Sequence, residues 1–152
     1  MLGGIEGVTN AEMIARTTDA IRQDALCSRA WFNRAIALRS ENMHDEELLS
    51  FLAAAATRTG DDEAWANALF LSMDHAKEHF PYILNFVTHH RGERFVLFLV
   101  QSSEREVDKR RAAALLEIAR IIGEQLPKGT DKQTMRVHHG KGPPLIIERR
   151  LD

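Results

Sequence analysis

The sequence predicts an all-α fold of six or seven helices, arranged as helical hairpins or a bundle, with a short β-hairpin-like tail. Three observations predict it. Apolar residues recur at the spacing of about 3.6 residues that marks one helix face, residues typical of helix starts precede these runs, and the composition changes after Pro127. We therefore expect a helical domain over residues 1–127. A linker and a strand-forming tail, docked or oligomerising, follow over residues 128–152.

The first two helices are predicted from their caps. Thr9 and Glu12 have the spacing of a capping box, in which each side chain satisfies a free backbone amide at the helix start. We place the first helix near residues 10–24. Ser28 is expected to cap a second helix that carries Trp31 on its apolar face.

The next three helices are predicted from charge and from helix-breaking residues. Negative charge favours a helix N-terminus, so residues 45–47 (Asp-Glu-Glu) and 61–63 (Asp-Asp-Glu) are expected to open the third and fourth helices. Gly60 ends the third. Pro81 fits the first turn of a fifth helix, where its missing N–H costs nothing, and Gly92 stops that helix.

The last helical stretch combines an ambiguous segment with a well-defined helix. Residues 93–101 have the composition of a strand, but their neighbours favour a short buried helix. Residues 103–106 (Ser-Glu-Arg-Glu) form a second capping box and are expected to start the longest helix, which ends at Pro127. Its apolar stripe consists of Val107, Ala114, Leu115, Ile118, Ile121, Ile122 and Leu126.

The tail is expected to form two strands. Residues 128–133 are polar and suggest a linker, whereas residues 134–139 and 145–151 have strand composition. A lone hairpin is marginally stable in water unless it packs against another surface. The tail is therefore predicted to dock on the helices or to pair with another copy through Val137, Leu145, Ile146 and Ile147.

One internal similarity suggests a repeat. Residues 30–33 and 64–67 share the pattern Ala-Trp-x-Asn, with the two tryptophans 34 residues apart. Residues 28–95 thus resemble tetratricopeptide helical repeats, which bury their apolar faces by stacking on neighbouring units. The resemblance implies a concave peptide-binding groove. Arg34, Glu47 and Thr59 depart from that family's pattern, and Pro81 lies inside the expected second helix of the second unit.

The C-terminal third resembles a different family. A helix followed by a basic, strand-forming tail over residues 103–152 is similar to the C-termini of phage small terminase subunits, ring-forming proteins of DNA packaging. The resemblance implies a homo-oligomer that binds nucleic acid, although residues 9–40 lack the tight-turn glycine of a helix-turn-helix. The candidate contacts to nucleic acid are Lys109, Arg110, Arg111, Arg136, Arg149 and Arg150.

One short motif has the form of a metal site. His75, Glu78 and His79 match the H-x-x-E-H pattern of a zinc peptidase. On a continuous helix, histidines four residues apart share a face and can bind one metal ion. A solvated polar face is the simpler interpretation of these residues, so we predict no metal, no cofactor and no catalytic residue.

The amino-acid composition narrows the classes of protein to which this chain can belong. A single cysteine, Cys27, excludes an internal disulfide and is typical of a reducing cytoplasm. No secretory signal or membrane-spanning run is recognisable, so we expect a cytoplasmic protein without a membrane partner. The net charge is −2, with −5 in residues 1–63 and +3 in residues 64–152.

The sequence therefore favours a non-enzymatic protein of interaction and assembly. Stacked helical hairpins would contact a protein partner, and the tail would mediate self-association. Two alternatives stay open: a small-terminase-like oligomer that binds nucleic acid, and a zinc-dependent hydrolase.

Overall fold

The computed structural model describes residues 7–58, 61–126, 131–137, 143 and 145–151. Helices joined by short links make up the described chain from Asn10 to Gln125. The helices are α1 (Asn10–Gln23), α2 (Ser28–Ser40), α3 (His44–Thr57), α4 (Asp62–His75), α5 (Phe80–His90), α6 (Gly92–Arg105) and α7 (Lys109–Gln125). The predicted all-α class is thus confirmed. Two strands follow, β1 (Asp131–Val137) and β2 (Leu145–Leu151).

The chain divides into two compact units, an N-terminal unit (Met1–Glu78) and a C-terminal unit (His79–Asp152). This boundary lies in the link between α4 and α5. The sequence places a division at residue 128 instead, and that division stays a prediction.

In the N-terminal unit each helix packs against the next along the chain, α1 on α2, α2 on α3 and α3 on α4. Two alanines of α3, Ala54 and Ala55, pack with Ala64 of α4, and three half-buried aromatic side chains pack against this cluster: Trp31, Phe32 and Trp65. Small residues at these positions let the helices approach closely. The two tryptophans of the repeated Ala-Trp-x-Asn pattern therefore contribute to the same core.

Of the two side-chain caps predicted in the N-terminal unit, the one at Thr9 is present, and Asp61, predicted only to open α4 by its charge, also caps that helix. The Thr9 hydroxyl accepts from the amide of Glu12 at 3.1 Å, and the Asp61 carboxylate accepts from the amide of Ala64 at 3.1 Å. The expected cap at Ser28 is wrong, because Ser28 is already the first residue of α2 and Cys27 precedes it without a side-chain cap.

The turn before α2 is fixed by Asp24 instead. Its carboxylate accepts from the amide of Leu26 at 3.0 Å, and the Trp31 indole N–H donates to the carbonyl of Ala25 at 2.9 Å. These bonds bring the chain into α2 without a capping hydroxyl.

In the C-terminal unit, α6 packs against α7, and α5 contacts both. The ambiguous segment 93–101 lies within α6. Phe95, Val96, Leu99 and Val100 are all buried there, at the spacing of one helix face. Pro81 lies in the first turn of α5, as predicted.

The start of α7 differs from the predicted capping box. Ser103 is buried inside α6, where its hydroxyl donates to the carbonyl of Val100 at 2.6 Å. Asp108 caps α7 by accepting from the amides of Arg110 and Arg111 at 2.9 and 3.4 Å. Val107, predicted on the apolar stripe, lies in the link between α6 and α7 and is 94% exposed.

Two links depend on left-handed backbone. Asn42, between α2 and α3, has φ of 57°, and Gly92, the first residue of α6, has φ of 53°. Asparagine and glycine adopt this conformation more readily than other residues. At Gly92 a β-carbon would also lie 3.4 Å from the Cδ2 of Leu126.

The two strands pair antiparallel, with Val137 opposite Leu145 and Asp131 opposite Leu151. β2 lies next to α7. β1 begins at Asp131, inside the segment expected to be a polar linker. The expected helix end at Gly60 and the strand residues 138–139 lie outside the described residues.

Within the described part of the chain, no helix is both long enough and apolar enough to cross a membrane.

Candidate functional site

A polar pocket opens in the N-terminal unit where α2, the end of α3 and the start of α4 meet. Its volume is about 250 Å³, and it is lined by Ser28, Arg29, Phe32, Asn33, Arg58, Asp61 and Glu63. The residues from α2 and α4 belong to, or adjoin, the two copies of the Ala-Trp-x-Asn pattern. The pocket thus lies where the repeated segments come together.

The pocket presents polar side chains that no other described side chain satisfies. Arg29, Arg58 and Asn33 form no side-chain hydrogen bond or ion pair with another described residue. Two guanidinium groups and an amide are suited to bind a carboxylate, because arginine donates two parallel hydrogen bonds to a planar anion. Phe32 adds an apolar wall.

Next to the core of this unit lies a buried acid, Glu47, whose side chain is 1% exposed. Its carboxylate accepts from the Nε of Arg39 at 2.9 Å and contacts the Nδ1 of His44 at 3.1 Å. Arg39 also donates to the side-chain oxygen of Asn67 at 2.9 Å. This network joins α2, α3 and α4, and among described side chains no buried polar atom lacks a partner.

A second arginine, Arg34 on α2, connects this helix to α1 and α3. It donates to the hydroxyls of Thr18 on α1 and Ser50 on α3 at 3.2 and 2.7 Å, and to the carboxylate of Glu46 at 3.2 Å. Arg34 and Glu47 are two of the residues that depart from the tetratricopeptide pattern. Both are held by hydrogen bonds between neighbouring helices.

The H-x-x-E-H motif does not lie on a single helix. α4 ends at His75, and Ala76 leaves the helical region with φ of −152° and ψ of 58°. His79 precedes α5 as its N-cap residue, with Glu78 in the link between the helices. The expected face shared by two histidines is therefore absent. Within the described residues, no three or more His, Cys, Asp or Glu side chains are grouped to hold a metal ion.

The His75 ring makes a different contact. It stacks on the ring of His44, with 3.8 Å between the centroids. The end of α4 is thereby joined to the start of α3, next to the Glu47 network.

The candidate nucleic-acid contacts all lie in the C-terminal unit. Lys109 and Arg110 are exposed in the first turn of α7, whereas the half-buried Arg111 pairs with Glu106 at 3.3 Å. Arg136 lies in β1, and Arg149 and Arg150 lie in β2.

The candidate self-association residues lie where β1 ends and where β2 begins. Val137 pairs with Leu145, while Ile146 pairs with Arg136 and Ile147 with Met135. The register therefore brings all four candidate residues into one short segment of the hairpin.

On the exposed surface of α7, Arg120 donates to the carboxylates of Glu117 and Glu124. Hydrogen bonding from Arg120 lowers the pKa of Glu117, burial opposes this shift slightly, and the charge of Arg120 adds to it. The same two carboxylates raise the pKa of Arg120. These pairs neutralise a basic side chain on the helix that carries Lys109 and Arg110.

Sequence reasoning missed the pocket arginines and the Glu47 network. A usable indication existed for Glu47, which precedes the buried Phe51 and Ala54 by four and seven residues and so shares their helix face. Arg29 and Arg58 carry no such indication, because their proximity depends on how three helices pack.

No protein-family model, curated protein or solved structure significantly matches this chain.

Proposed function

We propose that this chain is a non-enzymatic protein of interaction and assembly. Its N-terminal unit binds a polar segment of a protein partner in the pocket between α2 and α4. Its C-terminal tail contributes to self-association. The observation that carries the proposal is the pocket, in which the side chains of Arg29, Arg58 and Asn33 have no hydrogen-bond or ion-pair partner among the described residues.

The resemblance to tetratricopeptide repeats belongs to this proposal. It is supported by the sequential packing of α1 to α4 and by the contribution of Trp31 and Trp65 to one core. In such an arrangement a partner segment crosses the first helices of successive hairpins. Here those helices are α2 and α4, which line the pocket.

The chemistry of the pocket suggests the kind of segment. Arg29 and Arg58 favour an acidic side chain or a terminal carboxylate, while Asp61 and Glu63 limit the amount of negative charge that fits. We therefore expect a peptide with one acidic group and neighbouring polar or basic residues.

The pocket is tested with a display library of short random peptides selected on the full-length protein. Selected peptides should be enriched in Asp or Glu, and the Arg29→Gln/Arg58→Gln variant should bind them at least about tenfold more weakly, a loss of about 1.4 kcal/mol. The matched control is Arg16→Gln/Arg22→Gln, which removes the same charge from α1 of the same unit. Equal binding by both variants, or no enrichment, would remove the pocket from the proposal.

Self-association through the tail is supported by the pairing of β1 with β2. A two-stranded sheet has two outer edges, and open edges pair readily with another strand. Replacing Leu145, Ile146 and Ile147 with Ser should lower the solution mass while the helical circular dichroism signal persists. An unchanged mass would exclude the tail as the contact.

A second candidate function is that of an oligomer that binds nucleic acid, as the small terminase resemblance implies. It is favoured by the charge of the C-terminal unit, which has 13 basic and 9 acidic residues. Such a protein would bind duplex DNA with an affinity that falls steeply as salt rises, because condensed counterions are released. Absence of binding at about 50 mM salt, where phosphate contacts are strong, would exclude this function.

A further inference from the structure

The link between α6 and α7 holds an apolar side chain in solvent. The Glu106 amide donates to the carbonyl of Ser103 at 3.3 Å, and the Asp108 amide donates to the Glu106 carboxylate at 3.2 Å. The Glu106 carboxylate also pairs with Arg111 at 3.3 Å. Despite these bonds on both sides, Val107 is 94% exposed. The turn therefore presents Val107 in a defined conformation.

Three positively charged residues lie within three positions of Val107 in the sequence. Arg105 ends α6, and Lys109 and Arg110 begin α7; all three are exposed, and none forms an ion pair with another described residue. We call residues 105–110 the basic turn. Glu104, Glu106 and Asp108 are interleaved with the cations. An alternation of both signs around an apolar centre suits a protein surface better than a polyanion.

The N-terminal unit has a net charge of the opposite sign. It contains 13 acidic and 7 basic residues, a net charge of −6, whereas the C-terminal unit has a net charge of +4. The division of charge along the chain thus coincides with the division into units.

Part of this negative charge is concentrated at one end of the N-terminal unit. Glu41 follows α2, Asp45 lies in the first turn of α3 and Asp74 lies in the last turn of α4. The stacking of His44 on His75 places these helix ends together. The three carboxylates are exposed and form no ion pair with another described residue. Met43, 41% exposed, supplies an apolar side chain among them. We call Glu41, Met43, Asp45 and Asp74 the acidic end.

We propose that the basic turn of one copy docks on the acidic end of a second copy. Val107 packs near Met43, while Arg105, Lys109 and Arg110 lie opposite Glu41, Asp45 and Asp74. The two surfaces differ, so the contact is heterologous and builds either a ring or an open chain of copies. This inference rests on the proposed function of assembly and names a contact separate from the tail.

Charge reversal tests this contact without disturbing the helices. The turn variant is Lys109→Glu/Arg110→Glu, which adds negative charge in the first turn of α7. The end variant is Glu41→Lys/Asp74→Lys, which adds positive charge where α2 and α4 terminate. Each new charge suits the helix dipole at its position, so both variants should fold.

Each variant alone should lose association, because like charges then face each other. We expect the dissociation constant from sedimentation velocity to rise more than about tenfold in each. An equimolar mixture of the two should associate again, since each contact between a turn variant and an end variant joins opposite charges. The wild-type mass should also fall between about 0.1 M and about 1 M salt, as the screening length shrinks from roughly 10 Å to roughly 3 Å.

Arg94→Glu, compared with Arg110→Glu alone, is the matched control. Both arginines are exposed and lie in the first turn of a helix of the C-terminal unit, so a general charge effect would change both equally. Only Arg110→Glu should weaken association.

Several outcomes would overturn the inference. The inference fails if each variant keeps the wild-type mass, or if the mixture of the two variants stays dissociated. It also fails if the turn variant loses affinity for a short DNA duplex while its mass is unchanged. If the Ser variant of Leu145, Ile146 and Ile147 lowers the mass and charge reversal does not, this inference fails alone. If the tail and pocket variants both behave as wild type, the proposed function fails.

Discussion

Glu47 is the residue whose role is least expected from its type. It lies in the first turn of α3, where acidic residues usually face solvent and stabilise the helix through its dipole. Its neighbours Asp45 and Glu46 are exposed, but Glu47 is buried against Arg39 and His44. A buried charge is retained only when hydrogen-bonded partners replace its lost water. Glu47 therefore contributes to how α2, α3 and α4 align.

The first prediction compares Glu47 with its neighbour. Glu47→Gln should lower the free energy of unfolding by about 1–3 kcal/mol, because it removes the buried negative charge to which Arg39 and His44 bind. Glu46→Gln, which weakens a more exposed pair with Arg34, should cost less than about 1 kcal/mol. Urea denaturation of both variants measures the difference. Equal losses would show that the Glu47 network adds nothing beyond a surface ion pair.

The second prediction concerns the pKa of Glu117. Hydrogen bonding from Arg120 lowers that pKa in the folded protein. The pair therefore adds stability above the unfolded-state pKa, and this contribution is lost as the pH falls through the folded-state pKa. Its size is small because the pair is exposed to solvent.

Arg120→Gln should raise the pKa of Glu117 back toward its ordinary value. The titration of the side-chain carboxyl carbon by NMR measures this pKa directly. Arg22→Gln, which removes an exposed partner of Asp19, is the control and should leave Glu117 unchanged. A pKa for Glu117 that does not move in Arg120→Gln would contradict the assignment of Arg120 as the cause.

At the scale of the elements, the sequence predicts which segments form helices better than it predicts the residue at which each helix begins. The periodic apolar residues and the acidic openings of α3 and α4 identified the helices, because amphipathic spacing is a property of each segment alone. Capping depends on the path of the chain before the helix. Ser103 has the sequence of a cap, but it is buried in α6 because the apolar face of that helix continues through Val100. The cap consequently moves to Asp108.

The third prediction tests this cap. Asp108→Ala should lower the free energy of unfolding by about 0.5–2 kcal/mol, since two amides of α7 lose their acceptor. Ser103→Ala should cost less, because its hydroxyl bonds only within its own helix. Thermal denaturation of the two variants provides the comparison. A larger loss for Ser103→Ala would restore the capping box that the sequence suggests.

At the scale of the whole molecule, the sequence predicted the class of fold but not the site. The unequal distribution of charge was visible in the order of residues, and the structure gives it a boundary at Glu78. The pocket combines residues from positions 28 to 63, and no local pattern could reveal their proximity. The H-x-x-E-H motif is the converse case, a local pattern whose residues do not form the site that it suggests. Its chemistry requires a continuous helix, and α4 ends at the first histidine of the motif.

The central claim is that this chain assembles with other proteins, including its own copies, rather than catalysing a reaction. The most direct test is the solution mass of the full-length protein by multi-angle light scattering over a range of concentrations. We predict a mass above the 17.2 kDa of one chain that increases with concentration and decreases with added salt. A mass of 17.2 kDa at every concentration and every salt level would contradict the self-association on which this account depends.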